Sequence, residues 1–314
     1  MALGTIGTNQ IASEAVTVPK VADQVLSSRN LIINGSMDIA QRGSSHTTEG
    51  YGSLDRYYLA LSGASGVTMS QQAFSTADRN SLGFEKYLKL AVTTANNNCG
   101  VYQYIEASNA VSLIGNKATL SFYAKGTNPA GGSFTMQPAW YNKSSGGGDN
   151  AVAQSLTVTS SWVKYSFTFD IPAPANTVID NNAYLSHSFA QPSGDTSTTA
   201  WELNLAGLQF ELGDTATPFE HRSFGDELAR CQRYYWQFTA NNPLYAFQYH
   251  DSYKYAIRPH PVQMRASPTI TVAYTGGSMT QYQVDNYHWK AYIASGTSDT
   301  TSRYVNSLKA DAEL

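Results

Sequence analysis

Between residues 161 and 170 the chain alternates with a period of two. Val163, Tyr165, Phe167 and Phe169 fall on one side, and Lys164, Ser166 and Thr168 on the other. Successive side chains of a β-strand point to opposite faces, so the pattern fits a half-buried antiparallel strand and not a helix. The same texture recurs at 118–124, where Leu120 and Phe122 share a face. Trp201, Leu203 and Leu205 alternate in one phase, and Leu208, Phe210 and Leu212 in the other, which predicts a β-bulge at Ala206-Gly207. Glycine-dense stretches at 126–132 and 144–150 read as loops. Short aromatic strands are expected over 245–249, 253–258, 269–274 and 287–293, punctuated by Pro259, Pro261 and Pro268. One helical pattern interrupts this at 223–234, with Ser223 placed to cap and the acids Asp226 and Glu227 ahead of Arg230 and Arg233, the order the helix dipole favours. No fixed-period repeat argues for a solenoid. The fold class is all-β, in two β units joined by a short helix.

Charge narrows the function. The 314 residues carry 20 Lys and Arg against 23 Asp and Glu, a net charge of −3, while tyrosine alone occurs 21 times. So few cations cannot neutralise many phosphates, which argues against nucleic acid and against a polybasic membrane anchor. No run is apolar for long enough to suggest membrane insertion. Cys99 and Cys231 lie far apart and outside any CxxC pair, and are expected to be reduced thiols in a protein folded in a reducing cytosol. The first residues have neither a basic stretch nor a continuous apolar one, so no signal peptide is expected, and delivery outside a cell would require lysis. Residues 1–28 have no large aromatic and too little apolar surface to fold alone; a segment docked on another subunit, on another protein or on the body of its own chain is expected there.

No nucleophile elbow, HExxH, phosphate loop or dinucleotide fingerprint is present, and the six histidines are scattered, so an enzyme is not expected. No cofactor is assigned either: Asp38 has the right hard donor for calcium, but one acid is not a site. Gln41-Arg42 and Asp55-Arg56 are expected to be structural, a buried carboxylate–guanidinium pair tying a loop to the β unit. Glu211 and Glu220 read as strand-edge or inter-subunit partners. Aromatics supply the functional lead, because flat side chains with polar tips can stack on sugar C–H faces and also hydrogen-bond. Trp140-Tyr141 is read as core packing or a subunit interface, and Tyr234-Tyr235-Trp236 as packing the helix they follow. The expected glycan or receptor contacts are Tyr249, Tyr253 and Tyr255 on one hairpin and His288, Trp289 and Tyr292 on a later strand, all with polar neighbours.

Two segments bracket the first β unit. Residues 30–38 read NLIINGSMD and residues 208–222 read LQFELGDTATPFEHR. They resemble the first and last strands of jelly-roll domains of the carbohydrate-binding-module type, which often open NLxxNGxF and close QxExGxxATxFExR. NGSMDIAQRGSS (34–45) followed by LDRY (54–57) resembles the NGxxxxxQRG…DRW pattern of bacteriophage tail-fibre and related virion proteins, with Tyr57 in place of the usual Trp. ELARCQRYY (227–235) does so too, and VQMRASPTITV (262–272) with the closing ADAEL (310–314) is similar to the terminal module of such fibres. The resemblance implies a 1–28 attachment segment, a jelly-roll sandwich at 29–222, a connecting helix at 223–235 and a C-terminal β tip at 236–314. It further implies a virion protein, made in the host cytoplasm, that forms a homotrimer, binds other virion proteins through residues 1–28 and recognises a host cell-surface glycan. An architectural role as a capsid decoration, head fibre or tail adaptor is the alternative.

Overall fold

The computed structural model describes residues 29–63, 65–94, 99–191, 200–238, 244–245, 247–250, 253–275, 279–294 and 304–314, so the attachment segment expected at 1–28 lies outside them. The first β unit is a sandwich of two antiparallel sheets. One sheet orders its strands Ser45–His46, Ser65–Ala73, Lys86–Thr94, Trp201–Leu212, Lys117–Thr127 and Val163–Asp170. The other runs Gln154–Leu156, Phe134–Met136, Ala183–Ala190, Cys99–Glu106 and Tyr58–Leu61, with Ala139–Asn142 also pairing with Ala183–Ala190. From Lys86–Thr94 onward the chain crosses between sheets at most of its connections, so the inner face of each depends on residues distant in sequence.

Alternation decides what lies between the sheets. Leu120 and Phe122 are fully buried, with Leu88, Leu90, Phe134, Trp140, Leu185, Leu203 and Leu205 around them. Each such side chain contributes roughly 1.5–3 kcal/mol by leaving water. Val163–Asp170 is an edge strand, so only Phe169 of its expected inner row is fully enclosed; Tyr165 and Phe167 stack against Phe122 and stay partly open. The register of Trp201–Leu212 against Lys117–Thr127 slips between Ala206 and Gln209, the bulge expected from the change of phase. Gly207 sits there at φ +60°, and a Cβ on it would lie 2.4 Å from Phe84 Cζ. Leu212, expected inside, is 54% exposed because the chain leaves the sheet there.

The opening segment corrects an expectation. Residues 30–38 form no strand; they turn at 33–36, with Asn34 at φ 61° and Met37 at φ 65°. The Asn34 side chain takes over the bonding: its Nδ2 donates to the carbonyls of Ile39 (2.8 Å) and Asp55 (3.0 Å), and its Oδ1 accepts the Ile39 N–H (2.9 Å). Only glycine fits next, since a Cβ on Gly35 would lie 2.3 Å from Leu208 O.

The helix spans Phe224–Gln232, capped by Ser223, whose Oγ accepts the Asp226 N–H. Beyond it lie two four-stranded antiparallel sheets. One joins Tyr235–Phe238, Tyr304–Asp311, Leu244–Tyr245 and Thr269–Thr275; the other joins Phe247–His250, Tyr253–Pro259, His288–Ala294 and Met279–Val284. Trp236, Met264, Trp289, Val305 and Leu308 belong to their common core. The strands at 235–238, 279–284 and 304–311 were not among those expected from sequence.

Candidate functional site

The motifs at 41–42 and 55–56 are joined through Gln41 and Asp55 and not by the expected carboxylate–guanidinium pair. Asp55 accepts the Gln41 N–H (2.9 Å) and the Gln41 amide, and burial raises its pKa against those bonds and the nearby Arg42 and Arg56. The arginines reach instead for the end of the chain. Arg42 pairs with Asp311 (3.0 Å) and Glu313 (3.3 Å) and lies 3.5 Å above the Tyr235 ring. Arg56, 1% exposed and at φ 72°, pairs with the other Glu313 oxygen, donates to Tyr104 O and lies 3.4 Å above the Tyr234 ring. Gln41 Nε2 also donates to Tyr235 O (2.8 Å), and Gln237 donates back to Gln41 O. The carboxylates that meet these arginines come from the C-terminal DAE, about 260 residues away along the chain.

A second set of contacts extends this junction. Glu106, at the end of a sandwich strand, accepts Arg233 Nε (3.1 Å) and Nη2 (3.0 Å) and the Tyr234 hydroxyl. Burial works to raise its pKa, but those three bonds hold it below the ordinary carboxylate value. The opening and closing segments of the sandwich meet nearby: Glu220 accepts the Asn30 N–H (2.7 Å), and Arg222 bonds Ile32 O and Glu227 while also donating to Asn30 O. Glu211 accepts the Thr217 N–H (2.9 Å) and hydroxyl (2.6 Å). These acids therefore have partners within the chain.

Of the expected glycan contacts, the side chains of Tyr249, Tyr253 and Tyr255 lie outside the described residues. Trp289 is fully buried in the C-terminal core. That corrects its assignment, because a stacking platform must offer its face to solvent. The period of two was the overlooked signal: Trp289 and Ala291 point in, and His288 and Lys290 point out. His288 donates from its backbone N–H and sits with Nδ1 2.6 Å from Asp285 Oδ1. These bonds, with one from the Tyr287 N–H, hold the Asp285 carboxyl well below its ordinary range against desolvation. Tyr292 is half-buried on the same strand. Asp38 is half-buried, and among the described residues no group of three His, Cys, Asp or Glu could hold a metal. Cys99 and Cys231 are buried free thiols, both with pKa raised by burial, Cys99 to about 12.

The aromatics that do face solvent together are ones the sequence did not single out, except Tyr141, expected in core packing or a subunit interface and instead exposed. In Cys99–Glu106, Val101, Gln103 and Ile105 point into the sandwich, so Tyr102 and Tyr104 project from the outer face of the second sheet. Neighbouring strands place Tyr58, Tyr184 and Tyr141 beside them, each next to a buried residue of opposite phase (Leu59, Leu185, Trp140). Antiparallel register sets Tyr58 opposite Tyr102 and Tyr184 opposite Tyr141. The rings form a chain: Tyr141 to Tyr184 at 6.1 Å, Tyr184 to Tyr104 at 4.8 Å, Tyr104 to Tyr58 at 5.6 Å, and Tyr58 to Tyr51 at 5.2 Å. Tyr102 lies 6.3 Å from Tyr104. Tyr141 is 37% exposed and Tyr58, Tyr102, Tyr104 and Tyr184 are half-buried. Burial raises the pKa of all four half-buried phenols above the ordinary tyrosine value, at which a phenol is already protonated at neutral pH and able to donate. Such a strip offers flat apolar faces edged with hydroxyls, a surface suited to a polyhydroxylated ring compound.

No family model matches the chain, and no curated protein matches it. Among solved structures, the enzymatically active domain of tailspike protein 4 from bacteriophage CBA120 is similar over 59% of this chain at 17% identity, with a TM-score of 0.38; the chain spans about a fifth, 21%, of that tailspike domain. The family 11 carbohydrate-binding module of a Clostridium thermocellum cellulosomal cellulase is similar over 55% of this chain and 96% of its own, at 12% identity and a TM-score of 0.34. The N-terminal cellulose-binding domain of a Cellulomonas fimi β-1,4-glucanase covers 57% of this chain and 100% of its own, at 17% identity and a TM-score of 0.31.

Proposed function

We propose that this protein is a non-catalytic glycan-binding component of a virion fibre, and that the tyrosine strip on the outer face of the second sheet is its recognition surface. The observation that carries the glycan reading is the chain of ring contacts from Tyr141 through Tyr184 and Tyr104 to Tyr58, each on a different strand of the second sheet, and on to Tyr51 in the loop before Tyr58–Leu61. Side chains on a twisted sheet are held by their register, so the platform needs little ordering on binding. The virion reading rests on the sequence blocks at 34–45, 54–57, 227–235 and 262–272. With it come attachment through residues 1–28, assembly as a homotrimer whose three weak sites act together, and release by lysis.

Affinity electrophoresis through gels containing bacterial surface polysaccharides tests the recognition surface. Retardation by at least one polysaccharide, lost in Tyr104→Ala and Tyr184→Ala while Tyr287→Ala behaves as the parent, is the expected result. Retardation that survives both strip variants would place the site elsewhere. The architectural reading as a decoration, head fibre or adaptor draws on one observation, the commitment of the QRG and DR blocks to an internal junction. It predicts no retardation by any polysaccharide.

A further inference from the structure

Where the tyrosine strip meets the C-terminal unit there is a polar cleft of about 400 Å³, lined by Glu106, Ser108, Asp180, Asn182, Arg233 and Arg265 among others. It adjoins the strip directly. Glu106 pairs in register with Tyr184 on the strand beside it, and Asn182 lies two residues before Tyr184. An elongated ligand lying along Tyr141, Tyr184 and Tyr104 therefore has this cleft at its flank.

The charges in the cleft are not equally committed. Arg233 is bonded through Nε and Nη2 to Glu106, and each cancels the other. Asp180 is bonded through Oδ1 to the Asn142 amide (2.9 Å) and the Asn182 N–H (2.7 Å). Arg265 differs. Its Nε donates to Ala312 O (3.0 Å), which fixes the plane of the guanidinium, while its two terminal nitrogens have no hydrogen bond and no ion pair among the described residues. Burial, with Arg56 and Arg233 nearby, outweighs the pull of Glu106 and lowers its pKa, as expected of a cation short of a counter-charge. A planar, half-buried guanidinium with a free pair of donors is the geometry that binds a carboxylate side-on.

Resting on the glycan-binding reading above, we propose that the ligand is an acidic saccharide, whose carboxylate is taken by the free end of Arg265 in this cleft while neighbouring sugar rings stack along Tyr184 and Tyr104. The strip supplies contact area that any sugar can use, and Arg265 supplies the discrimination.

The test compares retention of the full chain by polygalacturonate, alginate and hyaluronate, each against its carboxyl-reduced, neutral counterpart. At least one acidic polymer is expected to be retained, and its reduced form to bind at least about tenfold more weakly. Arg265→Ala should lose that preference. Because this substitution also removes the bond to Ala312, Asn182→Asp is measured beside it: nearly isosteric and exposed, it adds a negative charge to the cleft and should weaken acidic binding severalfold more than neutral binding. Equal binding of acidic and reduced polymers, or a preference that survives both variants, overturns the proposal. Retention of reduced polymers only, abolished by Tyr184→Ala, would overturn it while leaving the tyrosine strip as the binding surface. No retention of any polymer would remove the strip reading as well.

Discussion

Two regions of this molecule combine tyrosines with polar groups, and they do opposite things. In the junction, Tyr234 and Tyr235 lie beneath Arg56 and Arg42, whose charges are met by Glu313 and Asp311. On the sheet face, Tyr58, Tyr102, Tyr104, Tyr184 and Tyr141 lie against one another with their outer faces open. Buried ion pairs tolerate no loss of a partner, because the remaining charge has neither water nor counter-ion. A half-exposed ring loses only some contact area. The junction is thus where stability is concentrated, and the strip is a surface that can serve another molecule without the fold depending on it.

The largest expected effect comes from breaking the junction. Arg56→Ala strands Glu313 beside Arg42 alone and should cost about 3–5 kcal/mol in denaturant unfolding. It should also expose the C-terminal unit to limited proteolysis, while folded molecules still bind glycan. A loss below about 1 kcal/mol, the range of a surface pair, would show that the two β units hold together without it.

The next effect belongs to the sandwich core beneath the strip. His187 is buried against Phe189 and Phe210 with neither ring nitrogen bonded among the described residues, and desolvation pushes its pKa down to about 3 from 6.5. Its folded form resists protonation, so between pH 6.5 and about 3 the unfolded chain binds more protons and stability falls as pH falls. The slope should approach, and not exceed, about 1.4 kcal/mol per pH unit from this residue. His187→Phe should flatten the unfolding profile in that window; an unchanged slope would assign the acid sensitivity to other groups.

The smallest effect in stability is expected on the strip. Tyr141→Ala, at an exposed ring, should change unfolding free energy by no more than about 0.5 kcal/mol while weakening polysaccharide binding severalfold. A large stability loss with no change in binding would reverse the comparison between the two regions.

How much of this was legible in the sequence follows the same divide. Local signals were read correctly: the period of two at 118–124, the phase change that became the bulge at Gly207, and Ser223 capping its helix. The QRG and DR blocks stood out as structural, but their partners Asp311 and Glu313 lie far along the chain, and nothing near residues 41–56 points to them. The opening segment resembles the first strand of a jelly roll, yet Asn34 replaces ladder bonds with its own side chain. The tyrosine strip escaped notice because its rings come one or two at a time from strands ordered by the sheet rather than by the sequence. Only Tyr102 and Tyr104, alternating with Val101, Gln103 and Ile105, carried a local hint. Trp289 attracted attention through its polar neighbours, whereas the alternation it shares with Ala291 directs it into the core.

The most direct measurement is a spectrum of the protein with ring-labelled tyrosines, recorded while a retained polysaccharide is titrated in. Shifts concentrated at Tyr58, Tyr104, Tyr141 and Tyr184, with Tyr234 and Tyr235 unmoved, are the predicted result. Shifts confined to tyrosines of the C-terminal strands, with the strip silent, would contradict the account.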